Sequence, residues 1–127
     1  PIVQREWLDT HAGGLIALAG FRSDIGGAMQ AGRSEQAEEL LRGWMETFPD
    51  CFYLEISRTG RAGEEDFLHA AVALAGTHNC PVAATNDVRF LAADQFEAHE
   101  TRACIHEGRT LNDPRRERRY TEQQYLR

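Results

Sequence analysis

Lysine is absent from this 127-residue sequence, in which all 14 basic residues are arginine. We attribute this bias to genome composition rather than to function. Cysteine is scarce as well: Cys51, Cys80 and Cys104 are odd in number, widely spaced and without a CxxC pair. That pattern disfavours a disulfide framework or a zinc ribbon. A reducing, cytoplasmic compartment is therefore expected.

Long apolar runs are also missing. No stretch of 18 or more apolar residues occurs, and the segment from Pro1 to Trp7 carries charge where a signal peptide would be apolar. The sequence thus predicts a protein that neither spans a membrane nor is secreted. Because the chain starts at Pro1 without a methionine, we expect it to be a piece of a longer protein.

The net charge of -6 disfavours a sequence-independent DNA clamp, which needs basic side chains to neutralise phosphates. A protein partner is more consistent with this charge, and the 42% apolar content is typical of one globular domain. The last 19 residues differ, with six arginines against three acidic residues. A solvated arginine-rich loop is favoured over a phosphate-contacting patch there, and DNA contact by Arg115–Arg119 stays open.

The first half of the chain predicts two strands around one amphipathic helix. Leu15–Ala19 is an apolar run bounded by glycines and predicts a buried strand, which the turn-like segment Gly20–Gly27 follows. Ser34 can cap a helix that ends before Pro49. Its apolar stripe, favoured as core over a partner groove, is Ala37, Leu40, Leu41, Trp44, Met45 and Phe48. Phe52–Ser57 alternates as a second strand, in which the charged Glu55 indicates a site or a paired partner.

The second half continues the alternation. Glu64–Asp66 predict the start of a second helix, which ends at Asn79. Pro81–Thr85 then predicts a third strand. Asp94 begins a segment with capping-box spacing for a third helix, and Gly108 predicts its end. Strict alternation of strands and helices predicts an α/β fold built from β/α units, with a parallel sheet.

In such folds the functional side chains lie in loops at the carboxyl ends of the strands. Three loops qualify here: Gly20–Asp24, Ser57–Arg61 and Asn86–Arg89. Three strands alone cannot close a barrel and would leave unpaired edges. We therefore expect further chain, or another copy of this chain, to cover them.

Several segments carry a resemblance to a known family: Phe52–Ile56 (FYLEI), Ala83–Val88 (AATNDV), Ala98–Glu100 (AHE) and Gly108–Pro114 (GRTLNDP). In order and spacing they resemble the PHP domain of bacterial replicative DNA polymerases, the DNA polymerase III alpha subunit family. The resemblance covers essentially the whole chain. It implies that residues 1–127 are an internal fragment, a partial PHP domain (its middle to C-terminal part), within a distorted (β/α)7 TIM-like barrel.

Metal-binding members of that family hold a cluster of ions, zinc or manganese among them, through His, Asp, Glu and sometimes Cys. Such ions activate water for phosphoester hydrolysis. The resemblance places Phe21 where many members have cysteine, and Thr59 and Arg89 where they have histidine. Asp87 is left as a residual ligand position. Because arginine stays protonated and cannot coordinate a cation, the resemblance implies a degraded metal site. We hypothesise that Arg89 replaces the missing cation and pairs with Asp87 or another acidic group.

By this resemblance the region is structural support for the polymerase and a docking platform for the proofreading exonuclease subunit. The parent chain would be a DNA-directed DNA polymerase that uses Mg²⁺, with its catalytic carboxylates in a later palm domain. The fragment itself would be catalytically inert, without a cofactor. The implied partners are the exonuclease and other replicase subunits, and primer-template DNA through the parent chain, with no membrane contact.

Two other functions stay open. The domain could retain metal-dependent 3′–5′ exonuclease, phosphoesterase or pyrophosphatase activity through ligands upstream of Pro1, although Phe21, Thr59 and Arg89 argue against it. A free-standing phosphoesterase is disfavoured by the TLNDP segment. The grouping of His99, Cys104 and His106 could be read as a metal site, but framework and surface roles are favoured.

Overall fold

A computed structural model describes residues 3–127, over which the chain forms five α-helices and three β-strands. In chain order these are α1 (Arg5–His11), β1 (Ala17–Ala19), α2 (Asp24–Gln30), α3 (Ser34–Thr47), β2 (Phe52–Ile56), α4 (Glu64–His78), β3 (Val82–Ala84) and, after a 3-10 turn (Ala93–Gln95), α5 (Phe96–Glu107). Pro1 and Ile2, where the predicted partial domain begins, lie outside the described residues. None of the helices described is both long enough and apolar enough to cross a bilayer.

The three strands form one parallel sheet in the order β1-β2-β3. Leu54 on the central strand pairs with Ala19 on one side and Val82 on the other. Helices connect consecutive strands, as parallel pairing requires. The predicted α/β class with a parallel sheet is confirmed, while closure into a (β/α)7 barrel stays a prediction.

The chain divides into two compact units. The first runs as far as Ile56 and also includes Glu65–Ala84, so it contains the whole sheet. The second consists of Ser57–Glu64 and Thr85–Arg127, and therefore contains the loops that follow β2 and β3 together with α5.

The core of the first unit lies between α3 and the sheet. Leu41 of α3 and Leu54 of β2 are completely buried, and Phe48 and Phe52 are nearly so. The remaining apolar residues of the α3 stripe pack against this cluster: Leu40, Trp44 and Met45. The stripe is thus core, as its helical spacing predicted.

The turn predicted for Gly20–Gly27 is confirmed only as far as Ser23, because helix α2 begins at Asp24. Ser23 is its N-cap: the Ser23 hydroxyl accepts a hydrogen bond from the Gly26 N–H at 3.1 Å and donates one to the Gly20 carbonyl at 2.7 Å. Two consecutive glycines lower intrinsic helix propensity, which suggested a turn. Capping and packing outweigh propensity here.

The strand β1 is shorter and more exposed than predicted. It spans Ala17–Ala19 rather than Leu15–Ala19, and only Ala19 is buried, while Leu18 is 51% exposed. Within residues 3–127 this strand pairs with β2 alone, so it is an edge strand. The prediction of a buried strand was therefore wrong for most of its length.

The helix boundaries were predicted to within a few residues. Arg33 rather than Ser34 occupies the N-cap of α3. Gln95, rather than the predicted Asp94, closes the turn before α5, because its Oε1 accepts the N–H groups of Leu91 and Ala92 at 3.0 and 3.3 Å. Gly108 ends α5 in the left-handed conformation (φ 65°), as predicted.

Candidate functional site

The predicted site residues fall into both units. Thr59, Asp87 and Arg89 belong to the second unit, in the loops after β2 and β3. Phe21 belongs to the first unit, in the loop after β1. Each group is described within its own unit.

Asp87 lies between two arginine side chains. Its Oδ1 forms an ion pair with Arg89 Nη2 at 2.7 Å, and its Oδ2 accepts a hydrogen bond from Arg61 Nη2 at 2.5 Å. Charge-assisted bonds of this kind are stronger than neutral ones, and the 23% exposure of Asp87 limits their screening by solvent. The predicted pairing of Arg89 with Asp87 is present, and Arg61 is a second partner that was not predicted.

Gln124 anchors this ion-paired loop through hydrogen bonds to Asp87 and Arg89. Its completely buried side chain donates from Nε2 to the Asp87 carbonyl at 3.0 Å and to Asp87 Oδ2 at 3.1 Å. Its backbone carbonyl accepts the Arg89 N–H at 2.8 Å. Asn86 adds hydrogen bonds from Nδ2 to the carbonyls of Gln123 and Tyr125, at 3.1 and 2.6 Å. The segment near the C-terminus therefore fixes the geometry of the Asp87 loop.

The loop after β2 closes on a buried carboxylate. Glu64 Oε2 accepts the N–H groups of Thr59 and Gly60 at 2.6 and 2.9 Å. Its Oε1 accepts the hydroxyls of Ser57 and Thr59 at 2.9 and 3.0 Å. Burial alone would raise the pKa of Glu64, but the hydrogen bonds from Ser57, Thr59 and Gly60 outweigh it and hold that pKa below its ordinary value. Glu64 is therefore a charged residue that stabilises this loop by accepting its hydrogen bonds.

In the first unit, Phe21 packs edge-on against Phe67 of α4, with ring centroids 5.6 Å apart. Beside it, a Cβ at Gly20 would come within 2.6 Å of Glu55 Oε2, so Gly20 leaves room for the β2 carboxylate. The Phe21 ring therefore contributes packing to the loop after β1, and it has no atom that can coordinate a cation.

These donors do not fit a divalent metal ion. Both oxygens of Asp87 are bonded to cationic arginines, and the Thr59 hydroxyl, which is buried, is committed to Glu64. Across residues 3–127, no three His, Cys, Asp or Glu side chains form a group that could hold a metal. The role of Asp87 as a residual metal ligand stays a prediction.

Next to Arg89, an aromatic cluster surrounds His99. The His99 ring lies 5.5 Å from the ring of Phe90 and 4.6 Å from that of Tyr120, edge-on to the latter. The Arg89 guanidinium lies 5.6 Å from the Tyr120 ring. Burial lowers the pKa of His99, and the positive charges of Arg102 and Arg89 lower it further against the opposing effect of Glu100. His99 therefore serves as a neutral framework residue at neutral pH.

The arginine-rich segment is anchored by one buried ion pair. Arg116 pairs with Glu100 of α5, and their side chains are only 5% and 6% exposed. Arg115, by contrast, is 81% exposed and pairs with Asp113 in its own loop at 3.2 Å, which lowers the pKa of Asp113. The prediction of a solvated loop is correct for Arg115 and wrong for Arg116.

Four residues that shape this site were not singled out as site residues from the sequence: Arg61, Glu64, Gln124 and Thr121, whose hydroxyl donates to the Thr59 carbonyl. One signal could have found Arg61. Neighbouring parallel strands bring their following loops to the same edge of the sheet, which favours contact between Ser57–Arg61 and Asn86–Arg89. No local pattern indicates Gln124.

No protein-family model matches the chain. The chain is 56% identical over 126 residues to the DNA polymerase III subunit alpha of Pseudomonas aeruginosa, an alignment that covers 98% of this chain and 11% of the relative. It is 49% identical over 128 residues to the same subunit of Escherichia coli K12, and 47% identical to that of Vibrio cholerae, each alignment covering 100% of this chain and 11% of the relative.

The chain spans about a tenth of the length of these curated relatives. Identity close to one half over an entire domain-sized segment leaves no doubt of common ancestry for that segment. Over almost its whole length, the chain is therefore homologous to one segment of the DNA polymerase III alpha subunit.

Proposed function

We propose that this chain is part of the PHP domain of a replicative DNA polymerase, the DNA polymerase III alpha subunit. In this role its metal site is degraded, and the region supports the polymerase fold and docks the proofreading exonuclease subunit. The observation that carries the proposal is the position of Asp87, whose two carboxylate oxygens are bonded to Arg61 and Arg89.

The chemistry of this trio suits a scaffold better than a hydrolase. A catalytic metal would need free carboxylate or imidazole donors and an open position for water. The guanidinium groups of Arg61 and Arg89 instead supply fixed positive charge beside Asp87 without coordinating anything. In our proposal these arginines supply the positive charge of the lost metal ions, but they cannot activate water for hydrolysis as a metal ion does.

The contacts within the second unit support the proposed structural role. The loop after β2, the loop after β3 and the segment near the C-terminus are joined by side chains that bridge long stretches of sequence, such as Gln124 to Asp87 and Thr121 to Thr59. Phe90 and Tyr125 add a parallel backbone bridge. Such cross-links oppose local opening and keep a surface in one shape.

In the proposal, nucleotide addition with Mg²⁺ takes place elsewhere in the parent chain, in the cytoplasm, and this region is inert. The net charge of -6 favours a protein over nucleic acid as the direct partner of the region. Other replicase subunits and primer-template DNA are reached through the parent chain.

The metal content of the full-length alpha subunit tests the degraded site. We expect mass spectrometry to find close to no bound zinc or manganese, both in the native protein and in Arg89→His, because Arg61 still occupies Asp87 in that variant. Two or more ions per native chain would instead support the retained exonuclease or pyrophosphatase. Stoichiometric zinc in Arg89→His alone would contradict the idea that the arginines stand in for the metal.

Docking is tested by amide hydrogen exchange of the full-length alpha subunit, alone and with its purified proofreading exonuclease. We expect slower exchange in peptides from residues 3–127 when the exonuclease is bound. Unchanged exchange throughout this segment, with complex formation verified by size-exclusion chromatography, would sink the docking role and leave the structural role standing.

A further inference from the structure

The second unit contains an open groove of about 300 Å³ along one face of α5. Ala98 and Arg102 of α5 line it on one side, and Arg89, Leu91 and Gln95 line it from the segment that precedes the helix. None of the roles assigned above to the ion-paired loop uses this groove, although Arg89 borders both.

The groove carries an excess of positive charge. Arg102 forms no ion pair with any residue in the described range, and the positions three and four residues away along α5 hold alanine, histidine and isoleucine rather than a carboxylate. Arg89 shares Asp87 with Arg61, so two guanidinium groups face one carboxylate. His99 adds no charge at neutral pH, because burial lowers its pKa.

Exposed aliphatic side chains flank these charges. Leu91 is 69% exposed in the groove wall, and Ile105, one helical turn beyond Arg102, is 75% exposed. Removing apolar side chains of this size from water is favourable, so Leu91 and Ile105 offer an apolar contact to a partner. The surface is therefore basic and apolar together.

The backbone disfavours a phosphate as the occupant. Phosphate sites usually draw on free backbone N–H groups. Here the N–H groups of Arg89 and Phe90 are donated to the Gln124 carbonyl, and those of Leu91 and Ala92 are donated to Gln95 Oε1. The guanidinium groups of Arg89 and Arg102 and the apolar side chain of Leu91 are therefore the groups of the groove that we expect to contact a ligand.

We propose that this groove binds an acidic segment of a partner protein in which carboxylates alternate with aliphatic or aromatic side chains. Arg102 and Arg89 pair with the carboxylates, while Leu91 and Ile105 cover the apolar side chains. Complementary charge across such a contact sets the register of the segment and speeds its association. The inference rests on the proposed docking role of this region.

The probe is a fluorescein-labelled dodecapeptide of alternating glutamate and leucine, titrated against the full-length alpha subunit and followed by fluorescence anisotropy. We expect Arg102→Glu to weaken binding by about tenfold or more, since like charges then face each other. Arg102→Lys, which keeps the positive charge, should retain most of the native affinity. Leu91→Ser should also weaken binding. Arg118→Glu, which reverses an exposed arginine outside the groove, is the matched control and should bind as the native protein does.

Three results would overturn the inference: no binding of the peptide, equal binding by the Arg102→Glu and Arg118→Glu variants, or tighter binding of a thymidine dodecanucleotide that the peptide cannot displace. Each differs from a failure of the proposed function. If the exonuclease slows exchange in this segment while the peptide ignores Arg102, the docking role stands and the groove is not its site. If Arg102 governs peptide binding while the exonuclease leaves the segment unprotected, the groove serves another protein.

Discussion

Glu64 is a single side chain that holds the loop after β2 through hydrogen bonds from Ser57, Thr59 and Gly60. Because the pKa of Glu64 is lowered in the folded chain, its stabilisation is complete above the unfolded value of 4.5 and is lost as the pH falls through the folded value. We expect Glu64→Gln to lose about 2 kcal/mol of local stability at neutral pH, since an amide cannot accept all of these bonds.

Amide exchange of residues 57–64, corrected for intrinsic rates, measures this loss in the intact parent protein. Asp66→Asn, which neutralises an exposed carboxylate in the same helical turn, is the control and should change protection little. Two results would show that Glu64 does not stabilise the loop. In one, exchange protection of the native protein does not fall on acidification below the unfolded pKa. In the other, Glu64→Gln and Asp66→Asn change exchange protection equally.

Arg116 is the second residue whose environment makes a definite prediction. Removing one partner of a buried ion pair leaves the other charge uncompensated, which costs far more than the pair itself contributes. We therefore expect Arg116→Ala to loosen residues 109–120 and α5, as measured by faster exchange there, and Arg115→Ala to have almost no effect because Arg115 is exposed. The double variant Glu100→Leu with Arg116→Met should recover much of the loss. Failure of the double variant to recover would mean that the pair is needed for more than charge balance.

At the scale of elements, α2 offers a comparison between two adjacent glycines. A Cβ at Gly26 would come within 2.5 Å of the backbone oxygens of Gly20 and Phe21, which cannot move aside cheaply, whereas a Cβ at Gly27 meets nothing within 4 Å. We expect Gly26→Ala to destabilise the first unit by roughly 1–3 kcal/mol through overpacking. Gly27→Ala should stabilise α2 by up to about 1 kcal/mol, because alanine is the better helix former. Exchange protection of residues 17–32 measures both effects: it should fall in Gly26→Ala and rise slightly in Gly27→Ala. Equal effects of the two variants would contradict the close approach of α2 to the Gly20 loop.

At the scale of the whole molecule, the edge strand β1 predicts self-association of the 127-residue chain when it is produced alone. An edge strand that exposes apolar side chains is a template for pairing with another chain, and Leu18 is 51% exposed on it. Leu18→Lys should reduce the associated fraction in sedimentation velocity experiments. Val72→Lys, at a similarly exposed position on α4 (46%), should reduce it less, since α4 has no unpaired strand backbone. Equal reduction by the two variants would indicate non-specific hydrophobic association rather than pairing of edge strands.

Much of the secondary structure was predictable because it depends on local pattern. The apolar stripe of α3 recurs at helical spacing, and Gly108 ends α5 because glycine adopts the left-handed conformation without strain. Helix α2 was not predictable in the same way. Its residues include Gly26 and Gly27, and the helix depends on a cap by Ser23 and on packing against the Gly20 loop, neither of which propensity records.

The candidate site was only partly predictable. The order of strands and loops indicated the loops that contain Thr59, Asp87 and Arg89. The resemblance to the polymerase family singled out these residues and suggested that Arg89 replaces a cation and pairs with Asp87 or another acidic group. The second arginine, Arg61, depends on two loops meeting across 26 residues of sequence. The burial of Arg116 against Glu100 could not be read from a run of arginines, all of which look equally solvated in sequence.

The sequence by itself determined the alternation of helices and strands, the parallel α/β class and the resemblance to a replicative polymerase, because periodicity and ordered motifs are properties of neighbouring residues. Only the tertiary structure decided which charges meet. Gln124 reaches Asp87 over 37 residues, and Thr121 reaches Thr59 over 62. Such contacts depend on the path of the chain in space, where the hydrogen-bonding needs of buried polar groups select partners that no local pattern encodes.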